Sequence, residues 1–149
     1  MASEPNLGLH AGDGSAPMTT RRASCSCGQL ALDAEGEPVR MSMCHCLCCQ
    51  KRTGSAFGVQ ARFAKERIVM RGRASQYSRL GDDGGRATQQ FCPDCGATVC
   101  WELDSIPGFV SVAVGAFADP TFPAPTVSVY NARRHPWTRM PELVVENED

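Results

Sequence analysis

The chain has 149 residues, 42% of them hydrophobic and 21% charged, with a formal net charge of -1, the balance of one ordinary globular domain. So small a charge gives no global attraction to nucleic acid or to an anionic membrane, and the local pairs Arg21-Arg22 and Arg133-Arg134 fit a solvated surface. Nine cysteines cannot all pair within one chain, no secretory signal precedes them, and no apolar stretch is long enough to span a bilayer. A cytoplasmic location with reduced thiols is therefore expected, with metal favoured over disulfides and neither a nucleic-acid nor a membrane partner.

Residues 1–20 carry Gly, Ser, Pro, Asp and Asn without periodicity and read as a disordered leader. The rest reads as short strands broken by turns, mainly β. Residues 29–34 alternate apolar and polar side chains, residues 35–38 form a turn, and residues 39–43 alternate again. Residues 56–63 and 68–70 are further strand candidates. A short helical turn is expected after Cys49. The run Gly81-Asp82-Asp83-Gly84-Gly85 is a loop by composition. Residues 86–91 lead into a cysteine pair and residues 98–101 lead away from it. Residues 109–114 are the strongest core strand, and residues 127–130 form another. Pro120, Pro123 and Pro125 exclude a long helix between them. The globular part is taken as residues 21–142, with 143–149 as a tail. No internal repeat is visible.

Eight of the nine cysteines fall in three clusters: Cys25-Ser26-Cys27-Gly28, the run Cys44 to Cys49, and Cys92-Pro93-Asp94-Cys95-Gly96. Closely spaced cysteines followed by glycine let a tight turn aim two sulfurs at one point. Two such pairs from distant parts of a chain complete a tetrahedral four-thiolate site, which stabilises the fold directly. Cys25 and Cys27 are accordingly grouped with Cys92 and Cys95 as a structural zinc site, although spacing alone does not fix that pairing. The middle cluster offers Cys44, Cys46 and Cys49, three thiolates with no fourth partner nearby. Three ligands with an open position is the pattern of a reactive zinc. Cys48 or His45 as a ligand is the alternative. Cys100, inside a strand, reads as a core thiol.

These residues resemble the glutathione-dependent formaldehyde-activating enzyme family, which includes centromere protein V-like proteins. The likeness runs from about Ala23 to Trp137 and rests on motifs in order: Cys25 to Gly28, Cys44 to Cys49, Gly54-Ser55-Ala56-Phe57, Phe91 to Gly96, and Arg133 to Trp137. Any one alone is weak; together they are specific. The resemblance implies a β-tent-like zinc-binding fold of small antiparallel sheets. It implies two zinc ions per chain, a structural one on Cys25, Cys27, Cys92 and Cys95 and a catalytic one on Cys44, Cys46 and Cys49. It implies a carbon–sulfur lyase that joins glutathione and formaldehyde into S-hydroxymethylglutathione, with a small-molecule thiol as partner.

In such a mechanism His45, between two ligands, is the candidate proton shuttle near neutral pH. Lys51 and Arg52 are placed to offset thiolate charge or to bind a substrate carboxylate. Ser55 and Phe57 are candidate pocket residues, and Arg133 and Trp137 are candidates to close over an anionic thiol. Two rival readings stand beside the enzyme: a zinc-stabilised binding module without chemistry, and a thiol redox or metal-buffering protein that uses Cys48 and Cys100.

Overall fold

The computed structural model describes residues 18–139 and the backbone of Val144–Val145. In chain order the elements are β1 (Thr20–Ser24), β2 (Ala31–Glu35), β3 (Arg40–Cys44), α1 (Leu47–Thr53), β4 (Gly58–Ala64), β5 (Ile68–Arg71), β6 (Ser75–Leu80), β7 (Arg86–Phe91), β8 (Thr98–Leu103), β9 (Phe109–Ala113), β10 (Val127–Val129) and β11 (Val144–Val145). Short 3-10 turns occupy Lys65–Arg67, Val114–Phe117 and Asn131–Arg133. The protein is mainly β, as the alternating segments require.

Two sheets form. The smaller has the order β1-β2-β5, and the larger has the order β11-β10-β3-β4-β9-β8-β7-β6. Pairing is antiparallel except at one end of the larger sheet, where β10 runs parallel to both β3 and β11. β9, the strongest core strand by sequence, lies between β4 and β8 with Val110, Ser111 and Val112 buried. One apolar cluster joins the two sheets: Leu30, Leu32 and Ala34 meet Ala61, Phe63, Val99, Val110 and Val112. Phe117 extends it, 6.4 Å from the Phe63 ring and stacked at 4.5 Å on Phe122. Each fully buried Leu or Phe in it stabilises the fold by about 1.5–3 kcal/mol. Outside the core, Arg22 and Arg71 hydrogen-bond Asp33 across the small sheet and hold its carboxyl well below the usual carboxylate range.

Several elements differ from expectation. β1 begins at Thr20, inside the segment expected to be a leader; residues 1–17 of that segment lie outside the described residues. β6 has no counterpart among the expected strands, because Ser75–Leu80 carries no apolar alternation and four of its six residues are exposed. The helix starts at Leu47 rather than after Cys49, because Cys46 caps it by accepting from the Cys49 N–H at 3.3 Å. Within the expected tail, Val144 and Val145 pair with Val127 and Ser128; its other residues lie outside the described ones. Among the described residues no helix is long and apolar enough to cross a membrane.

One glycine fixes how the small sheet meets the first cysteine turn. Gly72 follows β5 with φ +92, and a Cβ there would fall 1.9 Å from the Gln29 carbonyl oxygen. Gln29 in turn brackets Arg73, donating to its carbonyl at 2.8 Å and accepting from its N–H at 3.0 Å. Gly72→Ala must therefore push backbone against backbone in a conformation an L side chain disfavours. We expect a cost of more than about 2 kcal/mol, read as a fall of several degrees in Tm. A melting curve superimposable on that of the parent would contradict this account.

Candidate metal centres

Cys25 and Cys27 follow β1, and Cys92 and Cys95 follow β7. The two turns are built alike. Cys25 N–H donates to the Leu30 carbonyl at 2.8 Å and Gly28 N–H to the Cys25 carbonyl at 3.0 Å; Cys92 N–H donates to Ala97 at 3.0 Å and Gly96 N–H to Cys92 at 2.9 Å. Gly28 and Gly96 take φ values of 82 and 79, the left-handed conformation that lets each turn fold back. All four sulfurs lie within 4.8 Å of one another, with Cys27 Sγ 3.6 Å from Cys25 Sγ and 3.7 Å from Cys92 Sγ. Sulfurs at the corners of a zinc tetrahedron are about 3.8 Å apart for a Zn–S bond of about 2.3 Å, so this group fits one such ion.

The surroundings suit thiolates. Leu30 N–H donates to Cys25 Sγ at 3.3 Å, Asp94 N–H to Cys92 Sγ at 3.3 Å, and the Gln29 side-chain amide to Cys92 Sγ at 2.9 Å. Burial raises the Cys92 thiol, but the Gln29 amide and the N–H groups of Cys95 and Asp94 outweigh it and bring the thiol to about 6. At Cys27 the Gln29 N–H pulls downward, yet sulfur–sulfur hydrogen bonds with Cys25, Cys92 and Cys95 leave it pushed up to about 12. Four sulfurs this close cannot all ionise unless a cation sits among them.

The second group is local. Cys44 ends β3, Cys46 caps α1, and Cys49 lies in its first turn. Their sulfurs lie within 4.8 Å of one another and all three residues are buried. Hydrogen bonds from Cys46 and Cys49 push the Cys44 thiol far up, while those from Cys44 and Cys46, joined by Arg52, bring Cys49 down to about 3. Three thiolates in one buried place again call for a cation, and the donor set is the soft, sulfur-only kind that suits zinc. Neither alternative ligand joins this group. Cys48 lines a different pocket, with Lys51 and Tyr77. His45 is fully buried, with Nε2 3.1 Å from Ser128 Oγ and Nδ1 without a hydrogen-bond partner. Cys100 is a core thiol, and burial pushes it up to about 12.

The three-sulfur group opens on a cavity of about 350 Å3 that Cys44 and Cys46 line. Its other walls include Arg40, Arg62 and Arg79, the aromatic rings of Trp101 and Tyr130, and Asp82 and Asp83 of the β6–β7 loop. Arg40 and Arg62 are direct cross-strand partners in β3 and β4. Arg79 has a buried Nε without a partner.

The residues expected to contact substrate are placed less favourably. Ser55 is exposed and is tied back by its N–H to Thr53 Oγ1 at 3.1 Å. Phe57 tilts against His45 at 6.1 Å and lines a separate cavity of about 720 Å3 beside Cys25. Trp137 is 67% exposed and meets the His135 ring edge-on at 5.6 Å. Arg133 comes nearer: it pairs with Asp82 at 3.4 Å and lies 5.8 Å from the Tyr130 ring, at the cavity rim. Sequence reasoning missed Arg40, Arg62 and Arg79. The signal was present only as arginines inside strands, which acquire meaning once the register is known.

A family model for the glutathione-dependent formaldehyde-activating enzyme matches residues 20–133. Among solved structures, a crystal structure of a Rhodobacter sphaeroides protein, determined as a structural-genomics target, is similar at a TM-score of 0.52 and 20% sequence identity, over 68% of this chain and 90% of that one. That likeness bears on the fold alone. No functionally curated protein matches the chain. With the motifs, the matched span and both cysteine centres in agreement, the chain belongs to the glutathione-dependent formaldehyde-activating enzyme family.

Proposed function

We propose that the protein joins a small anionic thiol, glutathione in the first instance, to formaldehyde, and splits the adduct in the reverse direction as a carbon–sulfur lyase. The thiol sulfur bonds to the carbonyl carbon, the thiol proton is lost, and the carbonyl oxygen gains a proton to become the hydroxyl of S-hydroxymethylglutathione. The observation that carries this reading is the three-sulfur group opening on a cavity walled by arginines. A zinc ion held by Cys44, Cys46 and Cys49 would supply a Lewis acid that keeps a bound thiol in its nucleophilic thiolate form. A second zinc ion would be held by Cys25, Cys27, Cys92 and Cys95, whose four thiolates would complete its ligand set and give it a structural role.

The chain's own residues do the rest. Arg40, Arg62 and Arg79 bind carboxylates, and the buried Nε of Arg79 gains the acceptor it lacks. Trp101 and Tyr130 exclude water from the reacting sulfur. Arg133 holds Asp82 at the rim. His45 serves as a positioning residue rather than as the expected proton shuttle. Ser128 gives its hydroxyl proton to Asn131 Oδ1 at 2.6 Å, so its oxygen accepts from His45 Nε2–H. Burial, with Arg134 and His135 nearby, holds that imidazole below its usual pKa, which favours its neutral form. The reaction proton leaves through the open cavity. A cytoplasmic location accords with reduced thiols.

The test is zinc per chain together with the rate of S-hydroxymethylglutathione formation, followed by exchange NMR. Two zinc ions and a rate above the spontaneous one are expected. A folded protein with both ions that leaves the rate at its spontaneous value would turn the reading to a binding module.

A further inference from the structure

We infer that Arg52 is a positioning residue that enables the three-sulfur centre to accept a fourth, anionic sulfur, acting through Cys49 and Trp101; this rests on the thiol-binding function proposed above. A divalent ion on three thiolates already carries one net negative charge, and a fourth thiolate makes it two. In a buried site that accumulation is costly unless a fixed cation stands beside it.

Arg52 is the cation so placed. Its guanidinium lies 4.0 Å over the ring of Trp101, a wall of the cavity. It is packed against β4 so closely that a Cβ on Gly58 would fall 2.8 Å from Arg52 Nη2 and 3.6 Å from Cys49 Cβ. Gly58 is also the cross-strand partner of Cys44. The glycine thus makes the room in which a guanidinium reaches the cluster. Arg52 does not line the cavity of Cys44 and Cys46 but two others, one with Phe57 and Gly58 and one with Cys48 and Tyr77. It therefore stands behind the sulfurs rather than in front of them, where a substrate carboxylate would sit. The neighbouring Lys51 is exposed, whereas Arg52 is half-buried. Flat stacking on an indole is a property of guanidinium rather than ammonium.

The experiment uses the full chain loaded with cobalt(II) at both centres and titrated with 2-mercaptoethanol, a thiol without carboxylates, so that the cavity arginines do not enter. The readout is the sulfur-to-cobalt charge-transfer band of the three-sulfur centre. Arg52→Gln should bind the probe about tenfold or more weakly while holding both cobalt ions, and Arg52→Lys should recover part of the loss. Gly58→Ala, which displaces the guanidinium without removing its charge, should weaken binding in the same direction and carries the test should Arg52→Gln fail to fold. Binding by folded, fully loaded Arg52→Gln as tight as by wild type, or no recovery in Arg52→Lys, overturns the assignment and leaves the thiol-binding function standing. A wild-type protein whose band ignores the probe overturns both.

Discussion

Cys92→Ala is expected to leave the chain unfolded at room temperature even with zinc in excess. Cys92 is fully buried, belongs to the main apolar cluster, and carries the Gln29 amide on its sulfur. Its centre joins the end of β1, in the small sheet, to the end of β7, in the large one. A structural zinc contributes about 10–16 kcal/mol of binding free energy in small peptides, as much as the whole net stability of a domain, about 5–15 kcal/mol. Removing one of four ligands also strands the other sulfurs together. Circular dichroism and a thermal melt would show the loss, and a strong chelator should reproduce it in the wild type. A cooperative melt close to the wild-type Tm, with two zinc ions retained, would contradict the grouping of these four cysteines.

The opposite outcome is expected at the other centre. Cys49→Ala should remain folded, lose one zinc of two, and lose activity by at least about 100-fold, since even removal of a residue that only supports a metal ligand costs 10–100-fold. The fold survives because all three ligands come from one segment, β3 and the start of α1, and β3 is held by β4 and β10 regardless of metal. A buried side-chain truncation of this size costs about 1–3 kcal/mol, a fall of several degrees in Tm. Zinc analysis and the adduct-formation rate decide it. Undiminished turnover by the folded variant would remove Cys49 from the chemistry.

The three-sulfur group and each of the two cysteine turns were legible in the sequence because their geometry is local, whereas the joining of the two turns into one quartet, across 65 residues, was indicated only by the family resemblance. Two sulfurs on a turn, or three within six positions, point together whatever the rest of the chain does. The mainly β class was legible for a similar reason, since alternation in residues 29–34, 39–43 and 109–114 marks a strand with one buried face. β1 and β6 escaped because neither shows that alternation: β6 is an edge strand with mostly exposed side chains, and Thr20-Arg21-Arg22 begins β1 on polar residues. The parallel docking of β10 escaped because three residues carry no sign of strand direction. The cavity arginines lie at positions 40, 62 and 79 and meet only through the register of a sheet, which no local pattern encodes. Ser55 and Trp137 were read from motifs that the chain carries but does not turn towards this cavity.

The unequal reach of the two centres has a consequence for the nascent chain. Cys27 and Cys92 are 65 residues apart, whereas Cys46 and Cys49 are separated by only 3. On the ribosome the compact trio is complete while β4 to β10 are still unmade, and closing it costs almost no chain entropy. The wide quartet must wait for the second half of the protein and for closure of a long loop. Metal would thus be offered first to the three-sulfur group, before the strands around it exist, and only later to the four-sulfur group. A metal supplied during synthesis would therefore reach the three-sulfur group first and the four-sulfur group last.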